Sequence, residues 1–379
     1  MNVFALVHDR VATGLRVLVR DRVVPALDPA GIEVAPARDP AHGDLVCNAA
    51  LVLARQAAMP PVTLADLLAG QLRRYGDTLS VEVAGPGFLN LRFALGVWHN
   101  VVSAILSAGR DYGRSDAGQG ERIEVACIPA GSLADLDLGR GRAVLVADAL
   151  ARVLAFTGYD VRRPSRVGGG DLRADAVCRQ VRLLRGGGPA CLSAGDEAVP
   201  VTMRDLAGEV GADAVQFAML WQPPSLPLDL DLARIAEPCA DNPVFHVQYA
   251  HARAKSLFRN AGRIFPELRQ GTPAVMGSDL TLLSDPGEIA LIRQLAAFPS
   301  RLATAARARE PYRVALYLHD LASCFHSQVR RGNDLPHLRF IQPGDGTLTA
   351  ARLALAQANA HVLAAGLRLL GVLAPTEMQ

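Results

Sequence analysis

The chain has 379 residues, 50% of them hydrophobic, enough apolar material for real cores in two or three domains at roughly 100 to 200 residues each. This excludes a disordered chain, and a net charge of +2 is too small to argue nucleic-acid binding by itself. No apolar run reaches the roughly 18 residues of a membrane span, and the N-terminus, MNVFALVHDRV, carries charge too early for a secretory signal; the expectation is a cytoplasmic protein.

In chain order, Val3 to Val23 reads as an amphipathic helix and Ile32 to Ala35 as a short strand. In RDPAHGDLVCNAALVLARQ, Asp39-Pro40 and Gly43-Asp44 read as a turn and helix start, with Cys47, Leu51 and Ala54 on one side. Thr63 is placed to cap a helix to Arg74, TLSVEVAGPGFLNLRF alternates as two strands around Gly85-Pro86-Gly87, and Val97 to Leu106 reads as a helix. Residues 1–115 are thus expected to form an α+β domain.

Glu121 to Val161 has a strand, loop, helix, strand pattern: an alternating run (Ile123, Val125, Cys127), a loop with Pro and Gly, a periodic segment (Ala143, Ala147, Leu150, Leu154) and a second run from Gly158 to Val161. In a nucleotide-binding sheet the loop before such a helix touches phosphate, because free backbone N–H groups and the positive helix end point there. Two triple-glycine runs follow, Gly168 to Gly170 and Gly186 to Gly188, bracketing a helix expected over Asp171 to Leu184. Neither run has the GxGxxG or GxxxxGK[ST] spacing, so both read as linker.

From Thr202 onward the chain reads as a helical bundle: roughly 202–220, 242–260, 286–309, 311–327 and 347–370, with Arg330 to Gly346 as a polar loop. Pro243 and Pro311 stand near helix starts, where a missing N–H costs nothing. Val244, Val247, Ala254 and Phe258 form one stripe that includes His251, read as a satisfied core histidine. Residues 241–379 carry 15 basic and 10 acidic side chains (+5), against 13 and 17 (−4) over 116–240, so the C-terminal third is the best polyanion binder. Six cysteines without a Cys-x-x-Cys pair and nine dispersed histidines give no metal site, and no HExxH, GxSxG or P-loop is present.

Three blocks together resemble arginyl-tRNA synthetase, a class I aminoacyl-tRNA synthetase. AHGDLVCNAALVLA and VEVAGPGFLNLRF look like the family's appended domain that touches the tRNA elbow. VGADAVQFAMLWQ, LDLDLA and DNPVFHVQYAHARAKSLF are similar to the start of its anticodon-binding bundle, and ARLALAQANAHVLAAGLRLLGVLAPTEM resembles its closing helix and tail. The resemblance implies a multi-domain α/β plus all-α architecture: an elbow-binding-like α+β domain over 1–115, a degenerate Rossmann-like catalytic remnant with Gly-rich linker over 116–200, and a helical anticodon-binding-like (DALR-type) domain over 201–379.

The departures lie in the middle. The family has most of a catalytic domain where here about 40 residues separate Val161 from Val201, well below the roughly 100 of a small domain. The family's Asn-Pro-x-Gly-Pro-x-His-x-Gly-His signature should occupy the loop before the central helix. Here the loop reads CIPAGSLADLDLGRGR, with Asp137 and Arg140 where the two histidines belong. An aspartate there, with Asp135 beside it, repels phosphate where electrostatic stabilisation is usually the largest catalytic term. Arg140 and Arg142 remain as weak nucleotide-binding candidates. The second, lysine-bearing signature is replaced by CLSAGDEAVP, and Lys255 is the only lysine in the chain.

No catalytic residue, no cofactor, no ATP binding, no DNA and no membrane are therefore expected. The resemblance implies tRNA binding, to an arginine isoacceptor, by Phe88 and Asn90 at the elbow-type domain and by Tyr249, Arg253, Lys255 and Met378 at the anticodon-type bundle. Tyr stacks bases and the cations meet phosphate. The bland alternatives are a polar helix face for Tyr249, Arg253 and Lys255, a frayed tail for Met378, and core and turn roles for Phe88 and Asn90. The leading expectation is a tRNA-binding paralogue that does not aminoacylate. The alternatives are a residual or repurposed ATP-dependent arginine-tRNA ligase-type enzyme and a protein-interaction module acting with a partner enzyme or synthetase.

Overall fold

The computed structural model describes residues 2–29, 31–37, 39–126, 132–163, 172–173, 181–184, 201–239 and 241–378. Its contacts divide the chain into two compact units, Met1–Ala104 with Leu280–Ala297, and Ile105–Asp279 with Phe298–Gln379.

In the first unit, α1 (Val3–Arg20) starts where the Asn2 Oδ1 accepts from the Phe4 and Ala5 amides, and it buries Val3, Val7, Val11, Leu15 and Leu18 along one stripe. Strands β1 (Val34–Pro36), β2 (Leu45–Cys47), β3 (Thr78–Ala84) and β4 (Phe88–Phe93) form an antiparallel sheet ordered β1-β2-β4-β3. Helices α2 (Ala49–Leu53), α3 (Pro61–Leu72) and α4 (Leu95–Ala108) complete the N-terminal stretch. Leu45 to Cys47 is therefore strand where the sequence suggested helix, because it finds backbone partners in both Val34–Pro36 and Leu89–Leu91. Helix α3 starts at Pro61 rather than at a Thr63 cap.

The short segment 280–297 belongs to this unit, buries Leu283, Leu291, Ile292 and Leu295, and is tied to it by an ion pair. The Asp44 carboxylate is fully buried and accepts from the Phe93 amide at 2.7 Å, so it needs a cation. Arg293 supplies one, lying 5.4 Å from the Trp98 ring centre, and His99 Nε2 sits 2.8 Å from the Leu283 carbonyl.

The second unit opens with the expected strand, helix, strand. It comprises β5 (Arg122–Ala126), α5 (Leu138–Phe156) and β6 (Asp160–Arg162), with β6 parallel to β5 and β7 (Leu172–Arg173) parallel on the other side. The helix expected over Asp171 to Leu184 falls largely outside the described residues, which here are 172–173 and 181–184. These are β7 and β8 (Val181–Leu184), and β8 pairs in parallel with β9 (Leu228–Asp231), a long-range ladder that overrides local propensity. Strand β9 was hidden inside a region read as all-helical, although the LDLD alternation matches its buried-exposed pattern. The two triple-glycine runs and the CLSAGDEAVP segment lie outside the described residues.

The expected helix 202–220 is two, α6 (Met203–Val210) and α7 (Ala212–Met219), parted at Gly211 with φ +88. Both pack on α5 and β9 through a core that includes Leu138, Leu145, Leu206, Met219 and Leu230. Gly141 permits this closeness, since a Cβ there would clash with the Met203 side chain.

After α8 (Leu232–Ala236), the bundle consists of α9 (Pro243–Ala261), the short α10 (Pro273–Met276), α12 (Phe298–Ala308), α13 (Tyr312–Asp334) and α14 (Gly346–Leu370), while α11 (Pro286–Ala296) lies in the first unit. The expected helix over 286–309 is thus α11 and α12. Helix α13 runs seven residues beyond the expected 327, and Leu338 and Phe340 are buried rather than part of a polar loop. Helix α14 is long and apolar enough to cross a membrane by composition, contrary to the sequence expectation, but 83% of that window is buried inside the protein, as in a core helix.

Candidate functional site

Helix α9 is the element on which the site is built. Asn242 caps it by accepting from the Phe245 amide, and Pro243 fills the first turn. Its stripe of Val244, Val247, Ala250, Ala254 and Phe258 is buried against α13 and α14. The residues one turn apart on the other side, Tyr249 and Arg253, are left to line a cleft of about 610 Å³, together with Arg339, Phe340 and Met378.

Tyr249 is 39% exposed and stacked on Phe245, with ring centres 5.6 Å apart and planes 9° apart. His326 also stacks with it at 5.6 Å, and the Arg253 guanidinium stands 5.9 Å from its ring centre. A partly exposed aromatic ring held by neighbours, with arginines at hand, can stack a base and meet its phosphate.

The C-terminal tail is not frayed. It is pinned across α9: Gln248 donates to the Leu373 carbonyl at 3.0 Å, His251 Nδ1 to the Pro375 carbonyl at 2.7 Å, and Arg259 to the Thr376 carbonyl at 3.3 Å. Arg259 also pairs with Glu377 at 3.5 Å. Met378 is thereby carried into the cleft. His251, 3% exposed, is the satisfied core histidine expected; burial pushes its pKa down, which suits a neutral ring donating through Nδ1.

Lys255 departs from the expected set. Two residues beyond Arg253 on the helix, it does not line the cleft, and burial first, then the charge of Arg110, lowers its pKa. Three of the four bundle residues singled out in the sequence therefore meet, and the fourth does not.

A histidine cluster was not visible as spacing. His246 on α9 has its ring 4.7 Å from both His319 and His326 of α13, and the Trp221 ring lies 5.3 Å from His319. His326 Nε2 donates to the His246 carbonyl at 3.1 Å, and His246 Nε2 contacts Ser323 Oγ at 2.9 Å. Burial first, then His326 and His319, push His246 down to about 4, so these rings extend the aromatic wall as neutral groups. Such weak basicity does not suit a general base for Ser323. Among the described residues no group of His, Cys, Asp or Glu could hold a metal ion. The i, i+7 spacing of His319 and His326 on one helix was the legible hint.

The loop before α5 has a different character. Asp137 is the helix cap, its Oδ1 accepting from the Arg140 amide at 3.0 Å, and it pairs with the exposed Arg140 side chain at 3.5 Å. Asp135 pairs with Arg204 at 2.9 Å. A carboxylate therefore occupies the helix N-terminus that would otherwise face phosphate. Arg142, the weak nucleotide-binding candidate, is corrected by its surroundings. It is fully buried, and its guanidinium donates to the carbonyls of Met219 (3.3 Å), Gln222 (3.3 Å), Pro223 (3.0 Å) and Leu226 (2.8 Å). The preceding residues 127–131 lie outside the described residues.

In the first unit, Phe88 is 37% exposed at the start of β4, opposite Ala84. Asn90 is 8% exposed in mid-strand, between Val46 and Glu82. Phe88 is neither core nor Asn90 a turn residue, and of the two Phe88 presents the larger surface.

Comparison with known proteins agrees with this arrangement. The model of the arginyl tRNA synthetase N terminal domain matches residues 9–93, and that of the DALR anticodon binding domain matches residues 247–378. The arginine–tRNA ligase of Xanthobacter autotrophicus is 30% identical, the match covering 100% of this chain and 100% of the relative, and that of Nitrobacter winogradskyi is 29% identical over 100% and 99%. The first alignment runs over 587 positions, which 379 residues cannot fill, so at least 208 of them hold no residue of this chain. Among solved structures, Thermus thermophilus arginyl-tRNA synthetase superposes with a TM-score of 0.71 at 16% identity over 99% of this chain and 100% of that one. The Plasmodium falciparum enzyme gives 0.66 at 9% identity over 100% and 99%. With both terminal domains matched and an end-to-end relative at 30% identity, the chain belongs to the arginyl-tRNA synthetase family.

Proposed function

We propose that this chain binds tRNA, an arginine isoacceptor, and does not aminoacylate it. The observation that carries the proposal is the convergence of Tyr249, Arg253 and Met378 in one cleft of the segment matched by the DALR anticodon-binding model. Phe88 on the first unit is a second contact in this reading. The adenylation half of the proposal is supported by three facts: Asp137 caps the helix where phosphate would sit, Arg142 is spent on four carbonyls, and the alignment leaves at least 208 positions empty. In the proposal those positions fall between Val161 and Val201, where the family carries its amino-acid pocket. ATP is then no ligand, and the chain acts in the cytoplasm.

The second reading, a residual or repurposed ligase, is favoured by the end-to-end match to proteins named as arginine–tRNA ligases. An ATP–pyrophosphate exchange assay, with and without tRNA, decides between them. The proposal expects no exchange with any of the standard amino acids alongside tRNA binding well above the roughly micromolar, salt-sensitive background of non-specific association. Arginine-dependent exchange would establish the second reading, and the absence of tRNA affinity above background would remove the first.

A further inference from the structure

Resting on the tRNA reading, we propose that His326 is a further RNA-contacting residue of the Tyr249 cleft and takes up a proton as a backbone phosphate arrives, so that tRNA binding is coupled to pH.

The geometry gathers the groups around one ring. Tyr249 lines the cleft, and from its ring centre the His326 ring lies 5.6 Å away, with planes 25° apart, and the Arg253 guanidinium 5.9 Å away. His326 borders the cleft through a second neighbour too, since Val329, one turn further along α13, is part of its lining. The imidazole is half-buried, so it is held in place yet open on one part of its surface. Its Nε2 donates to the His246 carbonyl at 3.1 Å, which puts the single proton of the neutral ring on Nε2 and leaves Nδ1 as an acceptor. Protonation keeps that bond and adds an N–H at Nδ1, the donor that a phosphate oxygen accepts from, while the ring stays on Tyr249.

The free chain disfavours that second proton. On α9 the His246 ring lies 4.7 Å from His326, with Arg253 beyond it on the same helix, and on α13 stand Arg330 and, on the far side of His246, His319 with the adjacent Asp320. The cleft contributes Arg339 and Arg259, and the Glu377 carboxylate in its lining is paired with Arg259 at 3.5 Å. Burial lowers the pKa of His326, its bond to the His246 carbonyl opposes this, and the charges of Arg253 and Arg330 lower it further. A phosphate bound beside Arg253 offsets those charges and supplies the missing counter-ion. The pKa of His326 is then higher in the complex than in the free chain, so affinity rises as pH falls through the bound value and the gain is complete below the free one.

The test uses the full chain and an arginine tRNA transcript, with affinity measured from about pH 7.5 to about pH 5.5 at constant ionic strength, a range above that in which His246 titrates, at about 4. Calorimetry in buffers of different ionisation enthalpy counts the protons taken up. The expected result is an affinity that rises towards low pH by up to about tenfold per pH unit, the limit for one linked proton, with net proton uptake. His326→Phe keeps an aromatic ring against Tyr249, and His326→Gln keeps a donor for the His246 carbonyl; both should flatten the rise and lose the uptake. A pH-independent affinity in the wild-type chain overturns the proposal alone. So does a substitution that weakens binding equally at every pH, which marks a structural role, or one that leaves the pH slope intact. Absence of tRNA binding at any pH removes the tRNA reading and the proton coupling with it.

Discussion

Substituting Arg142 by methionine separates a structural from a ligand-binding role for the basic residues at the start of α5. The change keeps most of the aliphatic stem, so it leaves little cavity, but removes donors from four carbonyls of the 219–226 segment. One of those bonds, to Met219, is closed to water, and the others are partly accessible. The closed carbonyl left unpaired costs about 1–3 kcal/mol and each of the others about 0.5–1 kcal/mol, and the desolvation relieved by losing a buried charge offsets part of this. The net expectation is a loss of about 2–4 kcal/mol in the second unit. Trp221 lies in the affected segment, so urea unfolding followed by its fluorescence in a Trp98→Phe background, where it is the only tryptophan, reads the change. A variant as stable as wild type but impaired in nucleotide binding would refute the structural assignment.

The cleft makes its own demands. Tyr249→Ala removes a stacking platform and should weaken tRNA binding by about 5- to 150-fold, the equivalent of 1–3 kcal/mol, while Arg253→Met should lower the salt slope by about one; filter binding over a salt series measures both. Deleting residues 374–378 removes the acceptors of His251 and Arg259 and should lower the unfolding temperature and the tRNA affinity together, by calorimetry and filter binding. His246 titrates at about 4 when folded, below its ordinary 6.5. Its stabilising contribution is therefore complete above pH 6.5 and is lost as pH falls towards 4. Discounted for partial exposure the loss is about 1–2 kcal/mol, and His246→Phe should flatten that decline in denaturation curves taken across the window.

How much of this was legible in the sequence depends on the range of the interactions involved. The β5-α5-β6 unit and the long helices α9 and α14 carry their pattern locally, in Ile123 and Val125, in the Asn242-Pro243 start, and in the apolar run to Leu370. Elements fixed by distant partners were misread: Leu45 to Cys47 is strand because of β1 and β4, and Val181 to Leu184 because of β9. In the site, Tyr249 and Arg253 follow from one-turn spacing. The anchoring of Met378 needs the carbonyls of Leu373, Pro375 and Thr376 to meet side chains of α9 more than a hundred residues earlier. Arg142 was misplaced for the same reason, since nothing near it in sequence announces the carbonyls that surround it, and Lys255 because a helix face is assigned only once α14 is packed against it.

The central claim, a grip on arginine tRNA without charging it, is tested most directly by incubating the chain with an arginine tRNA transcript, ATP and arginine, isolating the complex, and running the recovered tRNA on an acid gel. The account predicts tRNA retained by the wild-type chain, lost with Tyr249→Ala, and uncharged throughout. Arginyl-tRNA accumulating in proportion to the protein, or no tRNA in the complex, would contradict it.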